Sequence, residues 1–302
     1  MNRLRADLLL LLTAFIWGTA FVAQKYANDS MPPITFVGAR FLLSALMLLP
    51  LALYEARKQH APLSRTDWIQ SGIIGLCLFS GACLQQIGLV TTSATNAGFL
   101  TALYVVMVPF TVWIISRQPP RSIVLLACGI SIAGAWLLTD DGQARHWRLG
   151  DILIVVSDVA WAIAITVIGI FVQRTHRPFF LSLTQYTLTA VLALAAGFMF
   201  ESPTLAGAHL ALGAILYAGI LSGGVAYTLG VIAQKHTPAA EAALIMCLES
   251  VFAAIAGAVM LHERLTPLAA TGCGLILLGV IVVEVGPGLL RSLKINKSPA
   301  AN

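Results

Sequence analysis

The chain has 302 residues, of which 58% are hydrophobic and only 10% are charged. Soluble globular proteins contain about 45–50% apolar and about 25% charged residues, so a water-soluble, disordered or fibrous protein is excluded. The net charge of +5 is not arranged as a basic patch with interleaved aromatic residues, so we expect no nucleic-acid partner. The composition predicts an all-α integral membrane protein that lies in the lipid bilayer.

Ten continuous apolar runs account for nearly the whole length of the chain, and each is about as long as a membrane-spanning helix. Strands of a membrane barrel would instead alternate apolar and polar residues over about 10 positions. The first run follows Arg3 and Arg5 but continues to Ala23 without a small-residue cleavage site, so it is interpreted as a helix and not as a signal peptide. The predicted helices cover residues 7–25, 34–54, 68–88, 95–116, 121–139, 150–172, 179–200, 210–232, 239–261 and 266–286.

The basic residues between these runs predict the orientation of the chain. With a cytoplasmic N-terminus, 13 of the 18 lysines and arginines fall on the cytoplasmic side and 4 on the opposite side. The remaining one, Arg40, lies within the second predicted helix. Because short cytoplasmic loops carry an excess of lysine and arginine, both termini are predicted to be cytoplasmic, which requires an even number of helices.

The second half of the chain resembles the first half. Asp7 and Trp17 recur as Asp151 and Trp161, at an offset of 144 residues. Because each copy contains five predicted helices, an odd number, the second copy must enter the membrane inverted. The predicted units are residues 1–142, residues 143–290 and a cytoplasmic tail at 291–302. Further matches keep their order at offsets of 142 to 145 residues, namely Pro33 with Pro178, Gly81 with Gly223, Gly88 with Gly230 and Gly134 with Gly279.

Inverted repeats are common in secondary transporters, whose substrate site lies near the middle of the membrane at the repeat interface. Trp17 and Trp161 each lie about ten residues into their helices, which corresponds to about 15 Å, or half the hydrocarbon thickness. We therefore predict that they line a substrate cavity, with Tyr104, Tyr217 and Tyr227 as weaker candidates. The alternative is that the duplication and the tryptophans serve only helix packing.

Few ionisable groups lie within the predicted helices. A charge at the bilayer centre costs about 2.5–3.5 kcal/mol on insertion scales, so it needs a partner, water or a function. Glu249 is predicted to bind a substrate ammonium group or a proton, with helix packing as the alternative. Asp158 and Arg40 are candidates for coupling or packing charges, and Arg40 fits a packing role better.

Four residues are predicted to interrupt helices and to act as hinges, namely Gly81, Pro109, Gly223 and Gly224. Such interruptions are tolerated in lipid where protein or a water-filled cavity satisfies the freed backbone groups. Together with the aromatic and charged residues, they predict a cavity between helices 1, 3 and 4 of the first repeat and helices 6, 8 and 9 of the second. Close helix packing is the alternative explanation.

The chain lacks sequence signatures of catalysis. The pair His262-Glu263 lacks the second histidine of a zinc-protease motif, and no nucleophile elbow or Walker motif is present. The five cysteines lie inside apolar runs without a C-x-x-C spacing, so we interpret them as small buried residues. We therefore expect no enzyme activity, no metal and no cofactor.

Two segments resemble a known family. Residues 14–21, AFIWGTAF, resemble the first-helix signature of the drug/metabolite transporter superfamily. Residues 237–283 resemble the ninth and tenth helices of its EamA-type branch, with Glu249 in mid-helix and a Glu263-Arg264 turn. Two positions depart from the family pattern, because Ser250 replaces a frequent proline and Gln118 replaces a frequent glutamate.

The resemblance implies a ten-helix, multi-pass transporter of a bacterial-type inner membrane, secondary active or facilitative. We predict that it exports neutral or aromatic amino acids, or related metabolites, by alternating access. Efflux of drugs, cationic aromatic compounds or nucleosides on the same fold is the alternative, and a membrane-embedded enzyme or a lipid flippase is a more remote one. The expected partner is a small-molecule substrate, and a monomer is sufficient for this mechanism.

Overall fold

The computed structural model describes residues 1–59, 62–117, 119–139, 148–263, 266–268, 270–272 and 274–282. Gln118, Arg264, Cys273 and the predicted tail at 291–302 therefore lie outside the described residues. The described part is helical and contains no strand, which confirms the all-α class. Its helices are α1 Arg3–Asn28, α2 Pro33–Lys58, α3 Arg65–Gly88, α4 Ala94–Thr101, α5 Tyr104–Ser116, α6 Ser122–Thr139, α7 Leu149–Thr175, α8 Pro178–Phe200, α9 Leu205–Leu210, α10 Leu212–Leu216, a π-helix Tyr217–Tyr227, α11 Thr228–Ala233, α12 Ala239–Met246 and α13 Glu249–Met260.

Eight of the segments in the described ranges are long and apolar enough to cross a membrane. Three of them combine shorter elements, because α4 with α5, α10 to α11 with the π-helix, and α12 with α13 each form one continuous span. Within the described residues, two further apolar helical segments, Ser122–Gly134 and Ala270–Val282, lie at the positions of the fifth and tenth predicted helices. Eight helices of membrane length are therefore present in the described ranges, and the total of ten spans stays a prediction.

The centre of the bundle is built from helix pairs that join the two halves of the chain. Helix α2 packs along α8, and α3 packs along α7. At one end of the first pair, the Glu201 carboxylate after α8 accepts hydrogen bonds from the backbone N–H groups of Ile34 (2.9 Å) and Thr35 (2.7 Å) in α2. At the other end, Glu55 in α2 accepts from Phe180 N–H in α8 at 2.7 Å. Each half therefore caps the start of a helix in the other half.

A second reciprocal contact joins the loops to aspartates near the starts of α1 and α7. Thr92 donates its hydroxyl to Asp151 Oδ1 at 2.8 Å, and Thr237 donates its hydroxyl to Asp7 Oδ1 at 3.1 Å. The two aspartates are the residues that recur at an offset of 144 in the sequence. A carboxylate near the start of a helix also interacts favourably with the helix dipole, which explains an acidic residue near the N-terminal ends of α1 and α7.

The fourth and ninth spans are broken in the middle, but not at the residue that we predicted. Pro109 lies inside α5 without ending it, whereas the break falls at Ala102 and Leu103 between α4 and α5. Proline at position 109 leaves the Val105 carbonyl without its usual helical donor, and Cys128 Sγ donates to that oxygen at 3.4 Å. The equivalent break in the ninth span falls at 247–248, where α12 gives way to α13.

The predicted interruption of the eighth span at Gly223 and Gly224 takes the form of a π-helix of 11 residues. Such wide helices are rare beyond a single turn and are frequent at functional sites. Donors from α1, α2 and α8 bind its carbonyl oxygens, with Ser44 at Gly219 (2.7 Å), Trp17 at Ser222 (3.2 Å), Tyr186 at Gly223 (2.9 Å) and Thr13 at Ala226 (2.9 Å).

Candidate functional site

A cavity of about 60 Å³ lies inside the bundle, where the two halves meet. It has room for about four to six water molecules, at 10–15 Å³ for each. Residues from α1, α2, α3, α4, α5, α7, the π-helix, α11 and the two halves of the ninth span contribute to its wall. Its aromatic lining consists of Trp17, Phe21, Phe41, Tyr104, Trp161 and Tyr227, and its polar or charged lining of Gln24, Arg40, Gln85, Thr101, Ser222, Gln234 and Glu249.

The structure brings together the five residues that we proposed for substrate binding, because Trp17, Tyr104, Trp161, Tyr227 and Glu249 all line this cavity. Their role in binding a substrate stays a prediction. The predicted set of helices was incomplete, since α2 also contributes two lining residues, Arg40 and Phe41. Arg40, which the sequence marks as a candidate coupling or packing charge, lines the cavity with its side chain.

The aromatic part of the wall is centred on Tyr227. Its ring centroid lies 5.3 Å from that of Trp17, 6.5 Å from that of Trp161 and 5.8 Å from that of Tyr186. Trp17 donates its indole N–H to the Ser222 carbonyl, whereas the Trp161 indole nitrogen is buried without a hydrogen-bond partner. The two tryptophans therefore occupy equivalent sequence positions but differ in bonding, and Trp161 keeps a free donor.

Gly81 does not interrupt its own helix, because α3 is continuous from Arg65 to Gly88. It instead leaves space for the ring of Trp161. A Cβ atom at position 81 would lie 3.0 Å from Cε2 of the Trp161 ring. The absence of a side chain thus lets the indole lie directly against the α3 backbone. Of the other three predicted hinges, Gly223 lines the cavity, Gly224 packs against Met47, and Pro109 lies apart from the cavity wall.

Arg40 is the basic residue of the cavity wall. Its side chain is only 5% exposed, and its Nη1 donates to Gln24 Oε1 at 3.0 Å. The guanidinium carbon lies 4.9 Å from the centroid of the Phe41 ring, a cation–π distance. The Nε atom is buried without a hydrogen-bond partner. No carboxylate neutralises Arg40 among the described ion pairs, so it can accept an anionic group.

Glu249 and Tyr104 occupy equivalent places in the two broken spans. Each is the first residue of the second half-helix, Tyr104 in α5 and Glu249 in α13. The Glu249 side chain is 3% exposed, and its Oε1 atom has no hydrogen-bond partner. Its position at a helix N-terminus is electrostatically favourable for a carboxylate, so the break helps to hold this group inside the membrane.

Asp158 does not line the cavity, although it lies on the same helix as Trp161. It is fully buried, and neither of its carboxylate oxygens has a hydrogen-bond partner in the described structure. Of these two buried carboxyl groups, Glu249 therefore lines the cavity and Asp158 does not.

Several residues that line the cavity were not predicted from the sequence, although their spacing places them on the same helix face as a predicted tryptophan. Phe21 and Gln24 follow Trp17 at four and seven residues, which places all three on one face of α1. Ile165 and Ile168 follow Trp161 at the same spacing, on the corresponding face of α7. A polar glutamine on the face of a mid-membrane tryptophan was the signal for a cavity wall.

The remaining predictions about chemistry concern metals and cysteines. No group of three or more histidine, cysteine or acidic residues that could hold a metal occurs within the described ranges. Cys83, Cys128 and Cys247 are buried, Cys77 is half-buried, and all four are free. Burial inside apolar helices agrees with their interpretation as small packing residues.

Comparison with known proteins identifies the family. Residues 4–140 and 148–285 each match the model of the EamA-like transporter family. An uncharacterized transporter of Archaeoglobus fulgidus is 32% identical over 289 residues, which cover 94% of this chain and 87% of the relative. The uncharacterized transporter YwfM of Bacillus subtilis is 24% identical over 285 residues, or 93% of this chain and 94% of the relative.

Other matches extend over part of the chain or concern the fold alone. The uncharacterized inner membrane transporter YedA of Escherichia coli K12 is 27% identical over 152 residues, which cover 49% of this chain and 47% of YedA. A solved crystal structure superposes with a TM-score of 0.77 at 18% identity and covers 97% of this chain and 99% of its own. The chain is a multi-pass membrane transporter that belongs to the EamA-like transporter family.

Proposed function

We propose that this transporter moves amino acids with neutral or aromatic side chains, or related zwitterionic metabolites, by alternating access. The observation that carries the proposal is that Arg40 and Glu249 line the same cavity as two tryptophans and two tyrosines. A zwitterion needs one cation for its carboxylate, one anion for its ammonium group and an apolar surface for its side chain. Arg40, Glu249 and the rings around Tyr227 supply these three features.

The architecture proposed for this movement is ten helices in two inverted repeats of five. It is supported by the family model, which matches the chain twice, and by the reciprocal bonds of Glu55 and Glu201 across the two halves. Rocking of one half against the other would open the cavity to either side in turn. The proposal includes export, a cytoplasmic position of both termini and a bacterial-type inner membrane, which the family resemblance and the positive-inside count support.

Uptake of radiolabelled L-phenylalanine into liposomes that contain only the purified protein tests this function. We expect saturable uptake, and we expect that Arg40→Gln reduces it at least tenfold, because the loss of a charge-assisted hydrogen bond to a carboxylate costs about 1.5–3 kcal/mol. Arg65→Gln, which alters an exposed arginine at the start of α3, is the matched control and should leave uptake unchanged. Absence of saturable uptake of any amino acid would contradict the proposal.

Efflux of cationic aromatic compounds is the second candidate, and the aromatic wall beside Glu249 favours it. Phenethylamine, which has the ring and the ammonium group of phenylalanine but no carboxylate, separates the two functions. If the protein recognises zwitterions, phenethylamine should compete weakly with phenylalanine in the wild type. If it recognises cations, phenethylamine should compete at least as well, and Arg40→Gln should leave its binding intact.

A further inference from the structure

Arg40 is a buried cation whose hydrogen-bond acceptor carries no charge. The residue is only 5% exposed, and its Nη1 donates to the side-chain oxygen of Gln24 at 3.0 Å. A buried arginine is ordinarily paired with a carboxylate, because an isolated charge is costly inside a membrane. None of the ion pairs between described residues includes Arg40. The presence of an amide instead of a carboxylate at position 24 therefore needs an explanation.

Aromatic rings stabilise this positive charge without cancelling it. The guanidinium carbon of Arg40 lies 4.9 Å from the ring centroid of Phe41 and 5.7 Å from that of Phe36. Such cation–π contacts lower the cost of burying the charge, but the rings carry no net charge of their own. The guanidinium is therefore held in the bundle by neutral groups and keeps its attraction for an anion.

Gln24, the acceptor, is itself held in place by α3. It is 4% exposed and lies on the face of α1 that lines the cavity. Its backbone oxygen accepts a hydrogen bond from Gln86 Nε2 in α3 at 3.0 Å, and the same nitrogen donates to Asn28 Oδ1 at 2.8 Å. The Asn28 side chain donates in return to the Gln86 carbonyl at 3.3 Å. These bonds fix the segment of α1 that carries Gln24, so its amide can orient the guanidinium.

The guanidinium of Arg40 keeps donors for a ligand. It has several N–H groups in a planar fork, of which Gln24 occupies one, and its buried Nε atom has no hydrogen-bond partner. Arg40 and Gln24 both line the cavity. A carboxylate matches the fork of a guanidinium and can accept two of its N–H bonds at once. The arrangement therefore offers an oriented and unneutralised cation to a ligand in the cavity.

We propose that Gln24 sets the charge selectivity of the cavity, because its neutral amide orients Arg40 and leaves the positive charge available for the carboxylate of the substrate. This inference rests on the proposed function and names the residue that selects for that carboxylate. Gln24 acts through Arg40 and is therefore a positioning residue. Gln24→Glu would keep an acceptor oxygen for Arg40 but would add a negative charge, which neutralises the cation that the carboxylate of the substrate needs.

Isothermal titration calorimetry of the purified protein with two fragments of phenylalanine tests this selectivity. Hydrocinnamate has the ring and the carboxylate but no ammonium group, whereas phenethylamine has the ring and the ammonium group but no carboxylate. We expect the wild type to bind hydrocinnamate, and we expect Gln24→Glu to weaken this binding roughly tenfold or more, because a charge-assisted interaction is lost. Phenethylamine should bind to Gln24→Glu at least as tightly as to the wild type, since the cation no longer repels it.

Gln24→Met separates the effect of the charge from the loss of the hydrogen bond. Methionine has a similar length but no amide oxygen, so Arg40 loses its acceptor and keeps its charge. We expect Gln24→Met to weaken hydrocinnamate binding less than Gln24→Glu does. A merely structural role of Gln24 predicts the opposite order, because Gln24→Glu keeps the acceptor and Gln24→Met does not.

Gln70→Glu is the matched control, because it makes the same change at another glutamine that accepts a hydrogen bond from an arginine. Gln70 Oε1 accepts from Arg174 Nη2 at 2.7 Å, near the start of α3 and outside the cavity wall. The binding of hydrocinnamate and of phenethylamine should be the same in Gln70→Glu as in the wild type.

Hydrocinnamate binding to Gln24→Glu with wild-type affinity would overturn the inference, and so would a wild type that does not bind hydrocinnamate. If Gln24→Glu does not fold, a loss of roughly tenfold or more in Gln24→Met would overturn it, since that variant retains the charge. Saturable phenylalanine uptake alongside any of these results would leave the proposed function intact. If phenylalanine uptake fails but hydrocinnamate binding depends on Gln24 in the expected order, the proposed function fails and the role of Gln24 stands.

Discussion

The ring of Tyr227 contacts both tryptophans of the cavity wall, so a movement of any one of these rings changes the space that the others leave. Trp17 is anchored by its bond to the Ser222 carbonyl, whereas Trp161 is positioned only by packing. The bond to a backbone oxygen restrains the ring plane of Trp17. We therefore expect the shape of the cavity to be more sensitive to the packing around Trp161 than to that around Trp17.

Gly81→Ala tests this sensitivity. The added methyl group would lie 3.0 Å from the Trp161 ring, which is closer than an ordinary van der Waals contact and forces the indole toward the cavity. We expect at least a tenfold loss of phenylalanine uptake while the protein still folds, because alanine favours a helix over glycine by about 1 kcal/mol. Gly72→Ala in the same helix is the control, since nothing lies within 4 Å of its added carbon. Equal uptake in the two variants would show that Trp161 does not shape the site.

The sequence predicts the aromatic part of the site better than its charged part. Trp17 and Trp161 are found from their depth and their repetition, and both line the cavity. Arg40 has no counterpart in the second repeat, and its neighbours in α2 are apolar, so depth alone does not separate a lining residue from a packing one. Its contact with Gln24 depends on how α1 and α2 pack, which is a tertiary property.

The helices are tied together by carboxylates that bind the first turns of other helices. Glu201 accepts two backbone bonds at the start of α2, and Thr35 adds a third bond through its hydroxyl at 2.6 Å. A first helical turn has backbone N–H groups without partners inside the helix, and a carboxylate satisfies them while it interacts favourably with the helix dipole. These hydrogen bonds restrain the direction in which α2 begins, and they also stabilise its first turn.

Glu201→Ala should therefore lower the free energy of unfolding by about 1–2 kcal/mol, as the loss of a helix cap does. Glu201→Gln keeps one acceptor oxygen and should lose less. Asp29→Ala, which removes an exposed carboxylate near the start of the same helix, is the control and should be close to neutral. Thermal unfolding in detergent, followed by circular dichroism, measures all three. A Glu201→Ala protein as stable as the control would mean that water replaces the carboxylate at no cost.

The positions of the spans follow from apolar length, but the breaks within them do not. Ala102 and Leu103 are good helix formers, and nothing in their neighbourhood of the sequence marks a break. Pro109 does mark one, yet the helix continues through it because Cys128 supplies a donor to the Val105 carbonyl. The break arises where the fourth and ninth spans meet, and Cys247 Sγ lies 3.9 Å from the Ala102 carbonyl there.

For the whole molecule, the charge count predicts an orientation that can be tested at two described positions. Ser202 lies after α8 and should face outward, whereas Thr66 lies at the start of α3 and should face the cytoplasm; both are exposed. In intact cells, a membrane-impermeant maleimide should label Ser202→Cys and not Thr66→Cys. The unsubstituted chain supplies the background, because its described cysteines are buried or half-buried. The reverse labelling would invert the side assigned to every loop.

The hydrogen bonds between Glu201 and the start of α2 have a consequence during synthesis of the chain. Glu201 is synthesised 167 residues after Ile34, the residue whose N–H it accepts. At about 5–20 residues per second, the start of α2 waits roughly 8–33 s for that carboxylate. During this time, water and lipid headgroups must satisfy its first-turn amides. The first turn of α2 therefore receives this carboxylate only after residue 201 has been made. A ribosome that stalls before residue 201 leaves α2 in the membrane without these hydrogen bonds.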